Sequence, residues 1–196
     1  MFTRSARLYD AIYHWKDYRA EAASLHELVQ ARKPGAGTLL DMACGTGAHL
    51  VELARWYRCV GVDIDPKLLA VARERLPAEV ELREADMRDF DLGRRFDAVT
   101  CLFSSIGYVR GVGELDRAVA SMARHLEPGG VLVVEPWLSP ERIAVPHVGA
   151  VFVDEPELKI ARIDSVEVAG NRSILELHAS MPEVALRARR SRMHSC

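Results

Sequence analysis

The segment Asp41-Met-Ala-Cys-Gly45-Thr-Gly47 contains residue types that could bring the backbone close to a small ligand. It follows a short apolar run, and the two glycines allow a tight turn and close approach of the main chain. A Gly-x-Gly pair is also compatible with an ordinary strand-to-helix turn. The segment therefore indicates a ligand site only in combination with other residues.

Two further acidic positions narrow the chemistry. Asp63 ends the second apolar run, 22 residues after Asp41, where a carboxylate can accept hydrogen bonds from both hydroxyls of a ribose. Asp86 and Met87 follow the third run. There the acid can accept a hydrogen bond from an adenine amino group while its apolar neighbour packs on the ring. These positions predict a nucleoside ligand.

The rest of the loop indicates the charge of that ligand. Dinucleotide-binding loops continue with a third Gly or Ala, which lets the helix start receive a pyrophosphate. Here Leu50 stands at that position, and Asp41 would repel a pyrophosphate but would suit a cation. The residues together describe a nucleoside that bears positive charge, and S-adenosylmethionine fits this description.

Alternating apolar runs and helical spacings predict the elements that hold these residues. Expected strands cover residues 38–42, 59–62, 80–83, 96–102 and 131–135. Expected helices cover residues 18–33, 49–57, 67–76 and 114–126, the last one ended by Pro128-Gly129-Gly130. This alternation predicts an α/β fold, Rossmann-like and doubly wound, with a mainly parallel sheet covered on both faces. Ligands of such sheets bind at the carboxyl ends of the strands, where the strand order reverses.

After Pro136 the pattern changes to three segments of strict alternation, GAVFVDE, KIARIDSVEVAG and RSILELHA, separated by turn signals. They predict a small antiparallel sheet appended after the fifth strand. We therefore expect a cofactor-binding core at 1–140, an antiparallel appendage at 141–180 and an irregular Arg-rich tail at 181–196.

Composition excludes several classes of protein. The chain has 196 residues, 49% of them apolar, and a formal net charge of −2, which suits one domain with a buried core and disfavours binding to duplex nucleic acid. No window is long and apolar enough to span a bilayer. The four cysteines form no CxxC pair and the seven histidines show no ligand spacing. We therefore expect no metal, no membrane association, and reduced thiols in the cytoplasm.

Several motifs, taken as a set, resemble those of a known family. DMACGTGAHL, GVDIDPKLLAVAR, EADMRDF and HLEPGGVLVVEPW resemble the class I S-adenosylmethionine-dependent methyltransferases. LYDAIY, TCLFSSIGY and the segment from Val133 to Glu141 are similar to one branch, the N,N-dimethyltransferases of nucleotide-linked amino sugars in antibiotic pathways. The resemblance extends from Leu8 to His178.

The residue pattern and the resemblance together predict a set of residues that bind the cofactor, S-adenosylmethionine: Tyr9, Tyr18, Asp41, Ala43, Gly45, Gly47, Asp63, Asp86, Met87 and Leu102. By the resemblance, Tyr108 faces the substrate amine and is the candidate base, and Trp137 lines the sugar pocket. The resemblance also implies that the N-terminal segment is a helical lid over the cofactor and that the appendage at 141–180 is part of a substrate sheet. The two N-terminal tyrosines could instead be packing residues, Tyr108 a loop aromatic, and Trp137 the cap of a strand.

The resemblance implies an N-methyltransferase that methylates, once or twice, the amine of a nucleotide-linked deoxy amino sugar. A homodimer is compatible with this prediction. The alternatives are a methyltransferase for another small molecule, a truncated relic without activity, and an oxidoreductase, which the loop disfavours. The family places a substrate-facing Tyr where Met1 or Phe2 stands here, and its last two strands have no counterpart after His178. We therefore expect an exposed sheet edge beside the fifth strand or its neighbour, lower stability than a full-length relative, a tendency to associate, and low or absent activity.

Overall fold

A computed structural model describes residues 10–137, 142, 147–156, 158–169 and 172–180. The chain divides into two compact units, Met1–Trp137 and Leu138–Cys196. Tyr9 and the expected tail at 181–196 lie outside the described residues.

The first unit contains a five-stranded sheet in which every pair of neighbouring strands is parallel. Its strands are β1 (Thr38–Met42), β2 (Arg58–Asp63), β3 (Glu81–Glu84), β4 (Phe96–Cys101) and β5 (Leu126–Val134). Their order is β3-β2-β1-β4-β5, so the direction of winding reverses between β1 and β4. The predicted Rossmann-like α/β fold is confirmed.

The helix α1 (Tyr18–Arg32) precedes β1, and three further helices connect strands: α2 (Ala48–Leu53), α3 (Pro66–Arg75) and α4 (Val112–Arg124). The expected N-caps are present, because the carboxylate of Asp17 accepts from the Ala20 amide at 2.9 Å and that of Asp65 from the Lys67 amide at 2.9 Å. Pro66 occupies the first turn of α3, where its missing N–H costs nothing.

Two buried clusters lie on opposite faces of the sheet. The successive β1 residues Leu39 and Leu40 belong to different clusters, as alternation along a strand requires. The Leu39 cluster includes residues of α1, α2 and α3, and the Leu40 cluster includes Met122 of α4. Because helices cover both faces, β1 and β4 are almost fully buried, and the sequence of β1 is apolar except for Thr38 and Asp41.

Two predicted helix ends were wrong. The helix α2 ends at Leu53, four residues before Tyr57. The helix α4 ends at Arg124, and Pro128-Gly129-Gly130 lies inside β5 rather than ending a helix. Strand pairing begins as soon as the helix ends, because the Phe96 amide donates to the His125 carbonyl at 2.7 Å. The proline and glycines then form a bulge between the Phe96–Leu126 and Ala98–Val131 pairs.

The second unit contains the predicted antiparallel sheet, which is confirmed. Its strands are β6 (His147–Asp154), β7 (Lys159–Ala169) and β8 (Arg172–Ser180), in the order β6-β7-β8. In the first unit, β5 is the outermost described strand on its side of the sheet, and its residues 131–134 are only partly buried.

Candidate active site

Strained backbone marks the carboxyl edge of the two central strands. Ala43 follows β1 with φ 57°, and Phe103 and Ser104 follow β4 with φ 52° and 56°. Among the described non-glycine residues these three alone have positive φ. Such a conformation is uncommon for residues with a side chain, and it concentrates at functional sites. The strain therefore points to the edge at which the strand order reverses.

Asp63, at the end of β2, is the buried acceptor that the sequence predicts. Its side chain accepts hydrogen bonds from the amides of Gly45 and Asp65, both at 2.8 Å, and the residue is 6% exposed. Burial raises the pKa of this carboxyl, although those two hydrogen bonds oppose the rise. A carboxylate has about four acceptor sites, so Asp63 can fix the glycine loop and still accept hydrogen bonds from ligand hydroxyls.

A cavity of about 350 Å³ opens in front of Asp63. The predicted site residues that line it are Ala43, Asp63, Asp86, Met87 and Tyr108. Ile64 also lines this cavity and is 62% exposed, so it offers apolar surface to a ligand there. The size is that of a small-molecule site. Apolar walls with two carboxylates suit a flat ring joined to a sugar.

The Asp86 carboxylate is already engaged by Arg88. The Arg88 Nε lies 2.9 and 3.0 Å from its two oxygens, and the Arg88 amide donates at 2.9 Å. The side-chain hydrogen bond with Arg88 lowers the pKa of Asp86. Arg88 also contacts Glu114 of α4, with Nη1 3.0 Å from Oε1. A ligand amino group therefore has to compete with Arg88 for Asp86, and Glu114 offers the guanidinium another partner.

Asp41 lies beneath the glycine loop rather than on a cavity wall. It is 2% exposed, and its Oδ1 accepts from the Thr100 hydroxyl at 2.7 Å. Burial raises the pKa of this carboxyl to about 6, while the charge of His49 and the Thr100 hydrogen bond act in the opposite direction. Asp41 can thus act on a ligand through its charge, but it is too deeply buried to contact the ligand directly.

Tyr18 belongs to a polar cluster at the start of α1. Its ring packs edge-on against His49 at 4.8 Å between centroids, and His49 Nε2 lies 2.8 Å from Glu21 Oε2. Lys16 pairs with the other Glu21 oxygen. Burial, followed by the charge of Asp10, raises the pKa of Tyr18 to about 12. The Tyr18 hydroxyl is therefore a donor at neutral pH.

Leu102, which follows β4, lines a second cavity, of about 640 Å³, together with Lys16, Glu21, His49 and Glu135. Glu135 follows β5, and its Oε2 accepts from the amide of the strained Phe103 at 2.7 Å. This hydrogen bond fixes the left-handed turn after β4. The Glu-Pro-Trp segment thus supports the turn from which the next residues of the site begin.

Tyr108 and Trp137 lie on neighbouring segments. Tyr108 ends the 3₁₀ helix Ser105–Tyr108 and is 74% exposed. Trp137 packs beside the preceding residue, because a Cβ added at Gly107 would be 3.4 Å from the Trp137 Cβ. The two predicted substrate-side aromatics are therefore held near the same turn.

The sequence reasoning missed a set of charged and polar residues around these positions: Asp10, Lys16, Glu21, Thr46, His49, Arg75, Arg88 and Glu135. Most of them contact the site through partners that are distant in sequence, as with His49 and Glu21. The apolar Ile64 was missed as well, although it carried a local signal, since it follows an acid at a strand end. In the described part of the chain, no group of three His, Cys, Asp or Glu residues could hold a metal ion. No helix there has the length and apolarity to cross a membrane.

Comparison with known proteins agrees with this geometry. Residues 39–130 match the Methyltransferase domain family. The chain is 44% identical over 181 residues to the dTDP-3-amino-3,4,6-trideoxy-alpha-D-glucopyranose N,N-dimethyltransferase of Streptomyces venezuelae, covering 91% of this chain and 76% of the relative. It is 46% identical over 176 residues to the dTDP-3-amino-3,6-dideoxy-alpha-D-glucopyranose N,N-dimethyltransferase of Streptomyces fradiae, covering 88% and 69%.

A solved structure extends the comparison to the cofactor. The structure of S-adenosylmethionine-bound CalS10, an amino pentose methyltransferase from Micromonospora echinaspora, is similar with a TM-score of 0.79 and 39% identity, over 88% of this chain and 81% of that one. The fold and the site define an S-adenosylmethionine-dependent methyltransferase. Within that class, the chain belongs to the family of the amino-sugar N,N-dimethyltransferases.

Proposed function

We propose that this enzyme transfers one or two methyl groups from S-adenosylmethionine to the amine of a nucleotide-linked deoxy amino sugar. The observation that carries the proposal is the identity of 44% and 46% to two N,N-dimethyltransferases of dTDP-linked amino sugars, over 76% and 69% of their lengths. The cavity lined by Asp63 and Asp86 supports it, because it provides the acceptors that a nucleoside requires.

The residues present fit the cofactor. Asp63 retains acceptor sites for the ribose hydroxyls, and the exposed Ile64 and Met87 supply apolar surface for the adenine in the same cavity. The left-handed Ala43 brings the backbone of the glycine loop to the cavity wall. The buried charge of Asp41 complements the positive charge that this nucleoside carries.

The chain itself has little covalent chemistry to perform. When bound, the cofactor supplies a methyl group that its sulfonium has already activated for displacement. The protein must hold a neutral amine in line with that methyl and exclude water. Tyr108 and Trp137, held at one turn, are the side chains that we assign to the acceptor. Because a tyrosine hydroxyl is protonated at neutral pH, Tyr108 can orient the amine through a hydrogen bond, and solvent takes the proton released after transfer.

Isothermal titration with S-adenosylmethionine and, separately, with a nicotinamide dinucleotide tests the cofactor. We expect binding of the first and none of the second. Tight nicotinamide binding without S-adenosylmethionine binding would overturn the proposal.

Mass spectrometry tests the acceptor. The enzyme is incubated with S-adenosylmethionine and a panel of nucleotide-linked amino sugars, and we expect mono- and dimethylated products from at least one of them. The matched control is the same nucleotide-linked sugar with a hydroxyl in place of the amine, which should remain unchanged. Methylation of the hydroxyl sugar, or of free amines only, would assign a different acceptor.

A further inference from the structure

Asp10 joins three segments that are far apart in sequence. It stands in a helical turn at residues 10–12, and its Oδ1 accepts from the hydroxyl of Thr46, in the glycine loop, at 2.7 Å. Its Oδ2 pairs with the guanidinium of Arg75, in the last turn of α3. The Arg75 Nη1 in turn lies 3.4 Å from the Thr46 oxygen. All three side chains therefore contact one another, and we call them the Asp10 clamp.

The clamp acts on a rigid part of the site. Thr46 is 2% exposed, and a Cβ added at the neighbouring Gly47 would lie 2.8 Å from the Leu76 side chain and 3.2 Å from that of Ala72. The glycine loop is thus packed directly on the end of α3 and cannot follow the N-terminal segment if that segment moves away. If the N-terminal segment moves away from the glycine loop, the contacts of Asp10 with Thr46 and Arg75 must therefore break.

Residues 10–18 cross the edge at which ligands bind in this fold. The segment is fixed at the glycine loop by Asp10, and further along it contacts the strained turn after β4, with the rings of Tyr13 and Phe103 4.8 Å apart. It ends at Tyr18, packed on His49. Its attachments therefore flank the reversal point between β1 and β4, where a ligand of a doubly wound sheet enters.

We propose that Asp10 and Arg75 are positioning residues that hold the segment of residues 10–18 across the bound cofactor and so set the rate at which S-adenosylmethionine dissociates. The inference rests on the cofactor site given under Proposed function. Neither side chain is assigned a contact with the reacting atoms. Their effect passes through the segment, whose opening has to precede release of the ligand.

The structure fixes what each variant removes. Asp10→Asn keeps an acceptor for Thr46 but loses the ion pair, and Arg75→Gln loses the same pair from the other side. The two side chains are 27% and 31% exposed, so we expect the dissociation rate to rise about five- to tenfold, the range for a partly screened bond between charged groups. Because both substitutions remove one interaction, the double variant should resemble either single variant.

The test measures association and dissociation rates of S-adenosylmethionine by displacement kinetics, together with the melting temperature of the cofactor-free protein. The matched control is Arg73→Gln, since Arg73 is an exposed residue of the same helix without a hydrogen bond or ion pair among the described residues. The control should leave both rates unchanged. Arg75→Lys should restore most of the wild-type dissociation rate, because it retains the charge.

Several results would overturn the proposed role of the Asp10 clamp in cofactor dissociation. One is a wild-type dissociation rate in Asp10→Asn, and another is an additive loss in the double variant. A third is a lower melting temperature without faster dissociation, since that outcome assigns the three residues to stability alone. If the wild-type enzyme itself fails to bind S-adenosylmethionine, the proposed function fails instead, and titration of the wild type distinguishes the two cases.

Discussion

Replacing Asp41 by Asn should increase the stability of the cofactor-free protein relative to wild type as the pH rises. The same substitution should weaken binding of the cofactor. In the unfolded chain this carboxyl has the ordinary pKa of 3.8, and in the fold its burial raises the pKa to about 6. Between these values the folded chain binds more protons than the unfolded chain. Ionisation of Asp41 therefore lowers the stability of the wild type as the pH rises through this window.

The magnitude follows from the two pKa values. Their difference corresponds to a cost of about 3 kcal/mol once Asp41 is fully ionised, and about 2 kcal/mol of it arises between about pH 4.5 and pH 7.5. Asn retains the oxygen that accepts from Thr100 but introduces a buried amide donor, which costs about 1–3 kcal/mol where it finds no acceptor. That second cost does not depend on pH, so the pH dependence isolates the charge.

The assay is chemical unfolding of wild type and Asp41→Asn at several pH values. We expect the stability of the variant relative to wild type to increase by about 2 kcal/mol from about pH 4.5 to pH 7.5. The matched control is Asp116→Asn, the same substitution at an exposed residue of α4. A flat difference between wild type and Asp41→Asn would show that the buried carboxyl titrates normally, and the account of its charge would be wrong.

Three other substitutions test separate parts of the site. Asp63→Ala removes acceptors for the ribose and should weaken cofactor binding tenfold or more, as a hydrogen bond to a charged group is worth about 1.5–3 kcal/mol; an unchanged dissociation constant in a folded variant would refute this placement. Tyr108→Phe should lower turnover while leaving cofactor affinity unchanged, and unchanged turnover would remove Tyr108 from the candidate catalytic residues. Arg88→Met should tighten cofactor binding several-fold by freeing Asp86, and Arg117→Met, at an exposed position of α4, serves as the charge control. Weaker binding in Arg88→Met would show that the guanidinium contacts the ligand instead of competing with it.

The fold could be predicted because its signals are local. Apolar runs of four to seven residues separated by helical spacing specify the parallel sheet. Asp17 and Asp65 specify two helix starts through hydrogen bonds to their own first turns. The end of α4 could not be read in the same way. Pro128 and the glycines that follow it are typical of a helix end, but the pairing of Leu126 with Phe96, 30 residues away, draws the chain into β5 earlier.

The site was predictable only where the strand ends themselves carry the chemistry. Asp63 ends β2 and Asp86 follows β3, and a parallel sheet places the carboxyl ends of these strands at one edge. Their types and positions were therefore informative. The side chains that hydrogen-bond to the site residues, or compete for their partners, come from distant parts of the sequence. Glu114 of α4 competes for Arg88, and Asp10 reaches Thr46 from 36 residues away. No periodicity predicts such pairings, because they depend on how helices pack over the finished sheet.

The departures from ordinary folding rules collect at one edge of this sheet, and that distribution is itself an argument about function. Ala43, Phe103 and Ser104 hold left-handed conformations, and Asp41 is a buried carboxyl with an elevated pKa. Each of these features destabilises the cofactor-free fold, and all of them lie within a few residues of the carboxyl ends of β1 and β4. A binding site whose charges and backbone are arranged for a ligand lowers the stability of the ligand-free protein, and here that loss is confined to one edge. The cationic cofactor should therefore recover part of that loss, so S-adenosylmethionine should raise the melting temperature of the wild type more than that of Asp41→Asn.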